Sequence, residues 1–200
     1  MITVIDYGAG NLRSVVNALK ILGEDPLVSS DADVIAKADK LILPGVGAFG
    51  ECMKKLTASG IADAVKETAK KGVPLLGICL GLQLLFDYST EFGKREGLGL
   101  ISGGVEKLSA GELKLPHIAW TSVEVNPDSR LLKGTENGEF FYFVHSYRAK
   151  ATNEADEAAT AVYGERFTAA VEKDNIFATQ FHPEKSGKAG LKLLENFLKF

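Results

Sequence analysis

The 200-residue chain has only two cysteines, Cys52 and Cys79, too few for a disulfide framework and without the spacing of a zinc site. No apolar run approaches the roughly 20 residues that a membrane-spanning helix needs. The N-terminal segment MITVIDYGAG lacks the cationic start of a signal peptide. A formal net charge of −3 leaves no basic excess for a nucleic acid or an acidic membrane surface. These absences predict a globular cytoplasmic protein without a metal ion.

Apolar runs and amphipathic stretches alternate through the first half of the chain. Strands are predicted at residues 2–5, 40–43 and 73–78, and helices at 11–22, 59–71 and 80–88. The run at 73–78 is apolar throughout, as expected of a central parallel strand that is covered on both faces. This alternation predicts an α/β fold in which helices flank a parallel sheet.

The pattern changes after Gly97, where short alternating runs replace the helical periodicity. Five such runs are separated by turn signals, at 122–125, 140–147, 158–163, 167–172 and 176–181. A last amphipathic helix is predicted at 188–200. We therefore expect antiparallel strands joined to the parallel sheet and, because no linker or repeat is visible, one domain over residues 1–200.

The segment Gly77-Ile-Cys-Leu-Gly81 lies between the predicted central strand and a helical stretch. G-x-C-x-G is the form of a nucleophile elbow, in which glycines allow a sharp turn that presents the middle side chain. At a helix N-terminus, the dipole favours the reactive thiolate of Cys79. The N–H of Leu80 is placed to donate to an oxyanion. The alternative is a structural role, since cysteine is among the most frequently buried residues.

A thiol nucleophile needs a base and a group that orients the base. The chain offers three histidines, His117, His145 and His182. His182 lies at the end of a predicted strand in the segment His-Pro-Glu, and residues i and i+2 of an extended chain point to the same side. Glu184 is therefore predicted to orient His182. Alone, such a pair is typical of a solvated strand end, but the upstream G-x-C-x-G favours a triad. His145 is a rival base that lacks an acid two residues on.

The segment Gly45-Val-Gly-Ala-Phe-Gly50 matches the G-x-G-x-x-G pattern of dinucleotide sites. Two features oppose that function. The loop follows the second predicted strand and not the first, and the next predicted strand ends in cysteine without an acidic residue for a ribose. We therefore do not expect a dinucleotide here.

The order nucleophile, histidine, acid differs from that of α/β-hydrolases. This order, together with the segments GICLGLQ (77–83) and QFHPEKS (180–186), resembles that of class I glutamine amidotransferases. Four further segments, DYGAGN, LPGVGAF, PHIAW and YFVHSY, resemble the glutaminase subunits of imidazole glycerol phosphate synthase, over essentially the whole chain. One departure is Ala119, where that family more often has glycine; we expect it to change a loop only locally.

The resemblance implies a flavodoxin-like three-layer fold, with a central, mostly parallel sheet between helices and an antiparallel extension in the C-terminal half. It implies hydrolysis of L-glutamine to glutamate and ammonia, without a cofactor. The ammonia would pass through a channel to a separate cyclase (HisF) subunit of a heterodimer. That subunit makes imidazole glycerol phosphate and AICAR in histidine biosynthesis.

The resemblance also assigns residues beyond the triad of Cys79, His182 and Glu184. Besides Leu80, the oxyanion would be held by a loop that is misoriented until the partner binds, formed by Gly45, Val46 and Gly47. Substrate contacts are assigned to Gln83, which lies one helical turn after Cys79, and to His145, Ser146 and Tyr147. The partner interface is assigned to Asn11, Arg13 and Trp120, where a lone tryptophan could otherwise belong to the core.

The sequence is compatible with three other kinds of protein. Another class I amidotransferase would share the triad but not DYGAGN and YFVHSY. A cysteine hydrolase of the DJ-1/PfpI type would share the elbow but not His-Pro-Glu. A flavodoxin-like interaction module would leave Cys79 inert.

Overall fold

The computed structural model describes residues 1–200. The α-helices are α1 (Leu12–Ile21), α2 (Ala32–Ile35), α3 (Phe49–Ala58), α4 (Ile61–Lys70), α5 (Leu80–Leu84) and α6 (Gly187–Phe197). The strands are β1 (Ile2–Ile5), β2 (Leu27–Ser29), β3 (Lys40–Gly45), β4 (Leu75–Cys79), β5 (Phe86–Ser89), β6 (Arg95–Glu96), β7 (Ile101–Lys107), β8 (His117–Val125), β9 (Phe140–His145), β10 (Tyr147–Ala151), β11 (Glu157–Tyr163), β12 (Glu165–Lys173) and β13 (Ile176–Thr179). Two short 3-10 turns span Glu154–Asp156 and Pro183–Lys185. Every helix is too short or too polar to cross a membrane.

Nine strands form one sheet in the order β2-β1-β3-β4-β13-β12-β11-β8-β9. Neighbours from β2 to β13 run parallel, and those from β13 to β9 run antiparallel. A second sheet has the order β10-β7-β5-β6. The α/β class and the antiparallel extension in the C-terminal half are confirmed; the second sheet was not predicted.

Two apolar clusters cover the two faces of the large sheet. Leu41 and Leu43 of β3 belong to the cluster that includes the buried faces of α3 and α4. Ile42, which points the other way, belongs to the cluster that includes α1 and α6. Each such side chain contributes about 1.5–3 kcal/mol when it is fully buried. Helix, sheet and helix therefore form three layers.

The predicted helix at 80–88 is wrong in its second half. Helix α5 ends at Leu84, and Phe86–Ser89 forms strand β5, which pairs with β6 and β7. Phe86 is fully buried in the first cluster, and β7 provides the hydrogen-bonding partners that a local pattern does not reveal. The predicted strand at 140–147 also splits, because the chain passes at Ser146 from the large sheet to the small one.

The carboxyl ends of the parallel strands define one edge of the large sheet. Strands β1, β3 and β4 end there, and the segments that follow them are 6–11, 46–48 and the start of α5. Strand β13 is parallel to β4 and leads into 180–182 at the same edge. In open α/β sheets, ligands bind at this edge.

Candidate active site

Cys79 is the last residue of β4 and precedes the first turn of α5. Its backbone has φ 57° and ψ −110°, a conformation that costs a residue with a side chain on the order of 1–3 kcal/mol. Only two other non-glycine residues in the chain have positive φ. The sharp strand-to-helix turn places Cys79, a residue 7% exposed, at the carboxyl edge of the sheet.

The glycines around the elbow are required by close backbone approach. A Cβ atom on Gly81 would lie 1.8 Å from the carbonyl oxygen of Leu43 in β3. A Cβ atom on Gly77 would lie 2.9 Å from the Gly81 carbonyl, and one on Gly45 would lie 2.8 Å from the Gly81 nitrogen. No side chain fits at these positions, so the elbow depends on all three glycines.

His182 and Glu184 form a buried pair, with 2.8 Å between Nδ1 and Oε1 and side-chain exposures of 3% and 1%. The expected extended segment is wrong beyond His182. His182 itself is extended, but Pro183–Lys185 forms a 3-10 turn, which brings the carboxylate back to the ring. Because a carboxylate only accepts, Nδ1 carries a proton and Nε2 is the nitrogen available for chemistry.

The imidazole of His182 is coupled to the sulfur of Cys79. Its Nε2 is buried without a conventional hydrogen-bond partner, and both residues line the same cavity. Burial lowers the pKa of His182, but the neighbouring Cys79 sulfur and the Glu184 carboxylate outweigh burial and raise the pKa to about 9. The ring is therefore protonated at neutral pH and places a positive charge beside the sulfur.

The backbone of His182 is fixed to strand β9. Its N–H donates to the carbonyl of Tyr142 at 2.9 Å, and the Tyr142 N–H donates to Ser186 Oγ at 3.0 Å. Ser186 Oγ–H in turn donates to the His182 carbonyl at 2.6 Å. These three bonds hold the backbone that carries the imidazole against β9. Ser186 was not predicted from the sequence as part of the site.

Cys79 and His182 open into a cavity of about 280 Å³. Nine of the residues predicted for catalysis, the oxyanion and substrate binding line it: Val46, Gly47, Cys79, Leu80, Gln83, His145, Ser146, Tyr147 and His182. Glu184 lies outside its wall, bonded to His182, and Gly45 packs against the elbow. A cavity of this size fits a small polar molecule.

Gln180, which was not predicted as a site residue, is fully buried next to the nucleophile. Its Nε2 lies 3.9 Å from the sulfur of Cys79, and its Oε1 accepts from Gln83 Nε2 at 2.9 Å. The signal was available, because Gln180 precedes His182 by two residues and therefore points to the same side of an extended chain.

The glycine-rich loop after β3 forms one wall of the cavity. Gly47 has φ 103°, and Val46 is 43% exposed while its carbonyl accepts from Cys52 Sγ at 3.6 Å. Helix α3 begins at Phe49, inside the G-x-G-x-x-G pattern, and its first N–H donates to the cavity residue Glu91 at 2.6 Å. The loop thus faces the nucleophile. Nowhere in the chain do three potential metal ligands converge.

The residues expected at a partner surface lie near the same edge. Trp120 is 52% exposed on β8, so it is not a core residue. With Ile118 (58% exposed) and Phe140 (54%) it forms an apolar patch on the outer face of β8 and β9. Arg13 is exposed, and Asn11 precedes α1 without capping it through its side chain.

The expectation for Ala119 is wrong, because this residue lies inside strand β8 and not in a loop. It is paired with Phe143 on β9.

Comparison with known proteins agrees with this geometry. The family model "Glutamine amidotransferase class-I" matches residues 3–200. The solved "Crystal structure of glutamine amidotransferase" superposes with a TM-score of 0.77 at 22% identity, covering 100% of this chain and 98% of that one. "Structure of PurLQS from Thermotoga maritima" gives a TM-score of 0.75 at 24% identity, covering 99% and 97%. The fold and the family match are those of a class I glutamine amidotransferase.

Curated relatives narrow the family. "Imidazole glycerol phosphate synthase subunit HisH" of Caldanaerobacter subterraneus is 50% identical over 98% of this chain and 97% of its own length. The protein of that name from Methanothermobacter thermautotrophicus is 51% identical over 100% and 98%. The chain belongs to the class I glutamine amidotransferases and, within them, to the HisH subunits of imidazole glycerol phosphate synthase.

Proposed function

We propose that this chain hydrolyses L-glutamine through a thioester on Cys79 and delivers the ammonia to a cyclase subunit. The observation that carries the proposal is a cysteine on a strained elbow beside a buried His182–Glu184 pair, at a cavity of about 280 Å³. The family assignment supports the same reaction.

In the first step, the Cys79 thiolate attacks the side-chain amide carbon of glutamine. The N–H of Leu80, at the first turn of α5, and one N–H of the loop Gly45–Gly47 stabilise the oxyanion. Protonated His182 donates its Nε2 proton to the departing nitrogen, so that ammonia leaves and a γ-glutamyl thioester remains.

In the second step, neutral His182 accepts a proton from water, which attacks the thioester carbonyl. The C–S bond breaks, glutamate leaves, and the imidazolium–thiolate pair is restored. Glu184 keeps the proton on Nδ1 throughout, so that Nε2 serves first as acid and then as base. The residues around Gln83, Ser146 and Tyr147 line the space for the amino-acid part of glutamine.

We further propose that the partner is the cyclase (HisF) subunit, and that it docks at the apolar patch with Trp120 as its anchor, beside Asn11 and Arg13. An exposed tryptophan among apolar neighbours is a typical interface hot spot. The pair would make imidazole glycerol phosphate and AICAR in histidine biosynthesis, in the cytoplasm. In this proposal residues 1–200 act as one domain, with no cofactor.

Glutamate release should be measured for this chain alone and with the cyclase subunit and its nucleotide ligand. We expect the rate of glutamate release to rise on the order of 100-fold or more in the complex. This is the effect of one oxyanion donor, which is misplaced in the free chain. Trp120→Ala should require at least about tenfold more cyclase for this activation. Ile21→Ala, at the far end of α1 and 70% exposed, is the matched control and should behave as wild type.

Two outcomes would contradict parts of this proposal. High turnover of the free chain, unchanged by the cyclase, would support glutamine hydrolysis but refute the cyclase as the partner. Absence of turnover under both conditions would refute the proposed glutaminase activity.

The pH dependence of kcat/KM for glutamine should report the proton on His182. Since that proton is needed to release ammonia, activity should fall as the pH rises through about 9. Glu184→Gln removes one of the groups that raise the pKa, so the alkaline limb should move to lower pH, toward the ordinary histidine value of 6.5. An alkaline limb that is identical in both proteins would contradict the role of Glu184.

A further inference from the structure

Two buried histidine rings have side chains without a role in the proposed chemistry: His145 lines the cavity, and His117 lies next to His145 outside the lining. His117 and His145 are paired across β8 and β9, with 3.1 Å between His117 Nδ1 and His145 Nε2. His117 Nε2 lies 2.8 Å from Thr121 Oγ1, and His145 Nδ1 lies 2.8 Å from the Tyr147 carbonyl oxygen. All four ring nitrogens thus have partners. Ala119 lies between His117 and Thr121 on the same face of β8, where a methyl group leaves room for their contact.

The direction of each hydrogen bond in this chain follows from its final acceptor, the Tyr147 carbonyl oxygen. A carbonyl oxygen cannot donate, so the proton of His145 is on Nδ1 and its Nε2 accepts. His117 must then donate from Nδ1, which leaves its Nε2 as an acceptor. The hydroxyl of Thr121 therefore donates to His117. One arrangement of protons satisfies every bond.

The surroundings of the rings preserve this arrangement. Burial lowers the pKa of His117 to about 4 and that of His145 to about 3, so both rings are neutral at pH 7 and each can donate once and accept once. The His117 ring stacks on Tyr163 at 4.0 Å and on Phe143 at 5.3 Å between centroids, which fixes its plane.

The Tyr147 carbonyl also accepts from Gln83 Nε2 at 3.0 Å. The second N–H of Gln83 donates to Gln180 Oε1, and Gln180 Nε2 approaches the Cys79 sulfur at 3.9 Å. Both amide hydrogens of Gln83 are therefore used, and its oxygen is the atom left for a ligand in the cavity. The orientation of Gln83 depends on where the Tyr147 carbonyl lies.

We propose that Thr121 and His117 are positioning residues, which act through His145 to hold the Tyr147 carbonyl and Gln83 in the geometry that binds glutamine. This inference rests on the proposed glutaminase function. Without the donor on His117, His145 Nε2 would be left without a hydrogen-bond partner, and the ring would no longer be fixed from that side. The bond from His145 Nδ1–H to the Tyr147 carbonyl would then weaken, and the substrate-binding segment would shift.

Matched variants should separate this role from a purely structural one in the complex with the cyclase. Thr121→Val removes the hydroxyl and Thr121→Ser retains it, on a residue that is only half-buried. His117→Phe removes both bonds, whereas the side-chain amide of His117→Asn can still donate from the Nδ1 position. We expect KM for glutamine to rise about tenfold in His117→Phe and less in Thr121→Val, with smaller changes in kcat. His117→Asn and Thr121→Ser should recover a KM close to wild type.

Nitrogen NMR of the free chain tests the proton arrangement without any assay of activity. Both rings should carry hydrogen on Nδ1, and Thr121→Val should shift the His117 ring signals. Hydrogen on Nε2 of either ring would overturn the inference, and so would equal KM values in His117→Phe and His117→Asn. A wild-type complex that does not hydrolyse glutamine would instead refute the proposed function, whatever the tautomers.

Discussion

Replacing Cys79 with serine is expected to reduce glutamine-dependent product formation by about 10⁴-fold or more in the complex, since the nucleophile of a triad is lost. A serine hydroxyl is a much weaker nucleophile than a cysteine thiol, and a protonated His182 cannot accept the hydroxyl proton. The measurement is product formation with glutamine as the nitrogen source, repeated with an added ammonium salt.

The ammonium experiment is the control for folding and docking. If Cys79→Ser removes only glutamine hydrolysis, product formation from added ammonia should match wild type. Loss of both reactions would point to a structural role for Cys79. Equal rates with glutamine in variant and wild type would refute the nucleophile.

Cys52 provides an internal comparison for reactivity in the same molecule. Burial raises the pKa of its thiol, which lies in α3 and donates to the Val46 carbonyl. Iodoacetamide should therefore modify Cys79 in preference to Cys52, as judged by peptide mapping. Preferential modification of Cys52 would contradict the assignment.

The parts of the site that could be predicted from the sequence are those in which the residues lie close together along the chain. Gly77 and Gly81 mark a sharp turn in which a side chain would clash with the backbone, and this turn places Cys79. His182 and Glu184 are two residues apart, so their contact needs no information from the rest of the chain. Even so, the backbone that joins them is a 3-10 turn, because Pro183 begins a new turn and does not continue the strand.

Features that depend on pairing between distant segments could not be predicted. Strand β5 exists because Phe86 is buried and β7 is available to pair with it, and its own residues continue a helical pattern. His117 and His145 are brought together by the register of β8 and β9, which no local pattern specifies. The apolar patch is likewise visible only once the exposed face of β8 is known.

The second large effect is expected from Gly81→Ala. A methyl group there would lie 1.8 Å from the carbonyl oxygen of Leu43, in a central strand that pairs on both sides and cannot retreat. We expect a loss of about 3 kcal/mol or more in the free energy of unfolding. For a chain of this size, that loss lowers Tm by roughly 6–12 °C. It should be accompanied by loss of glutamine hydrolysis, because relief of the clash requires the elbow that carries Cys79 to move.

Gly50→Ala is the matched control, since it adds the same methyl group inside helix α3. There the nearest atom is a flexible carbon of Arg95 at 3.5 Å, and the backbone is helical. Alanine is the better helix former, so stability should stay level or rise by about 0.5–1 kcal/mol. Thermal unfolding and glutamate release of the two variants can be compared directly. Equal Tm values for Gly81→Ala and Gly50→Ala would contradict the expected loss of stability. They would show that β3 moves to accommodate the methyl group, so that Gly81 is required for the position of Cys79 but not for the stability of the sheet.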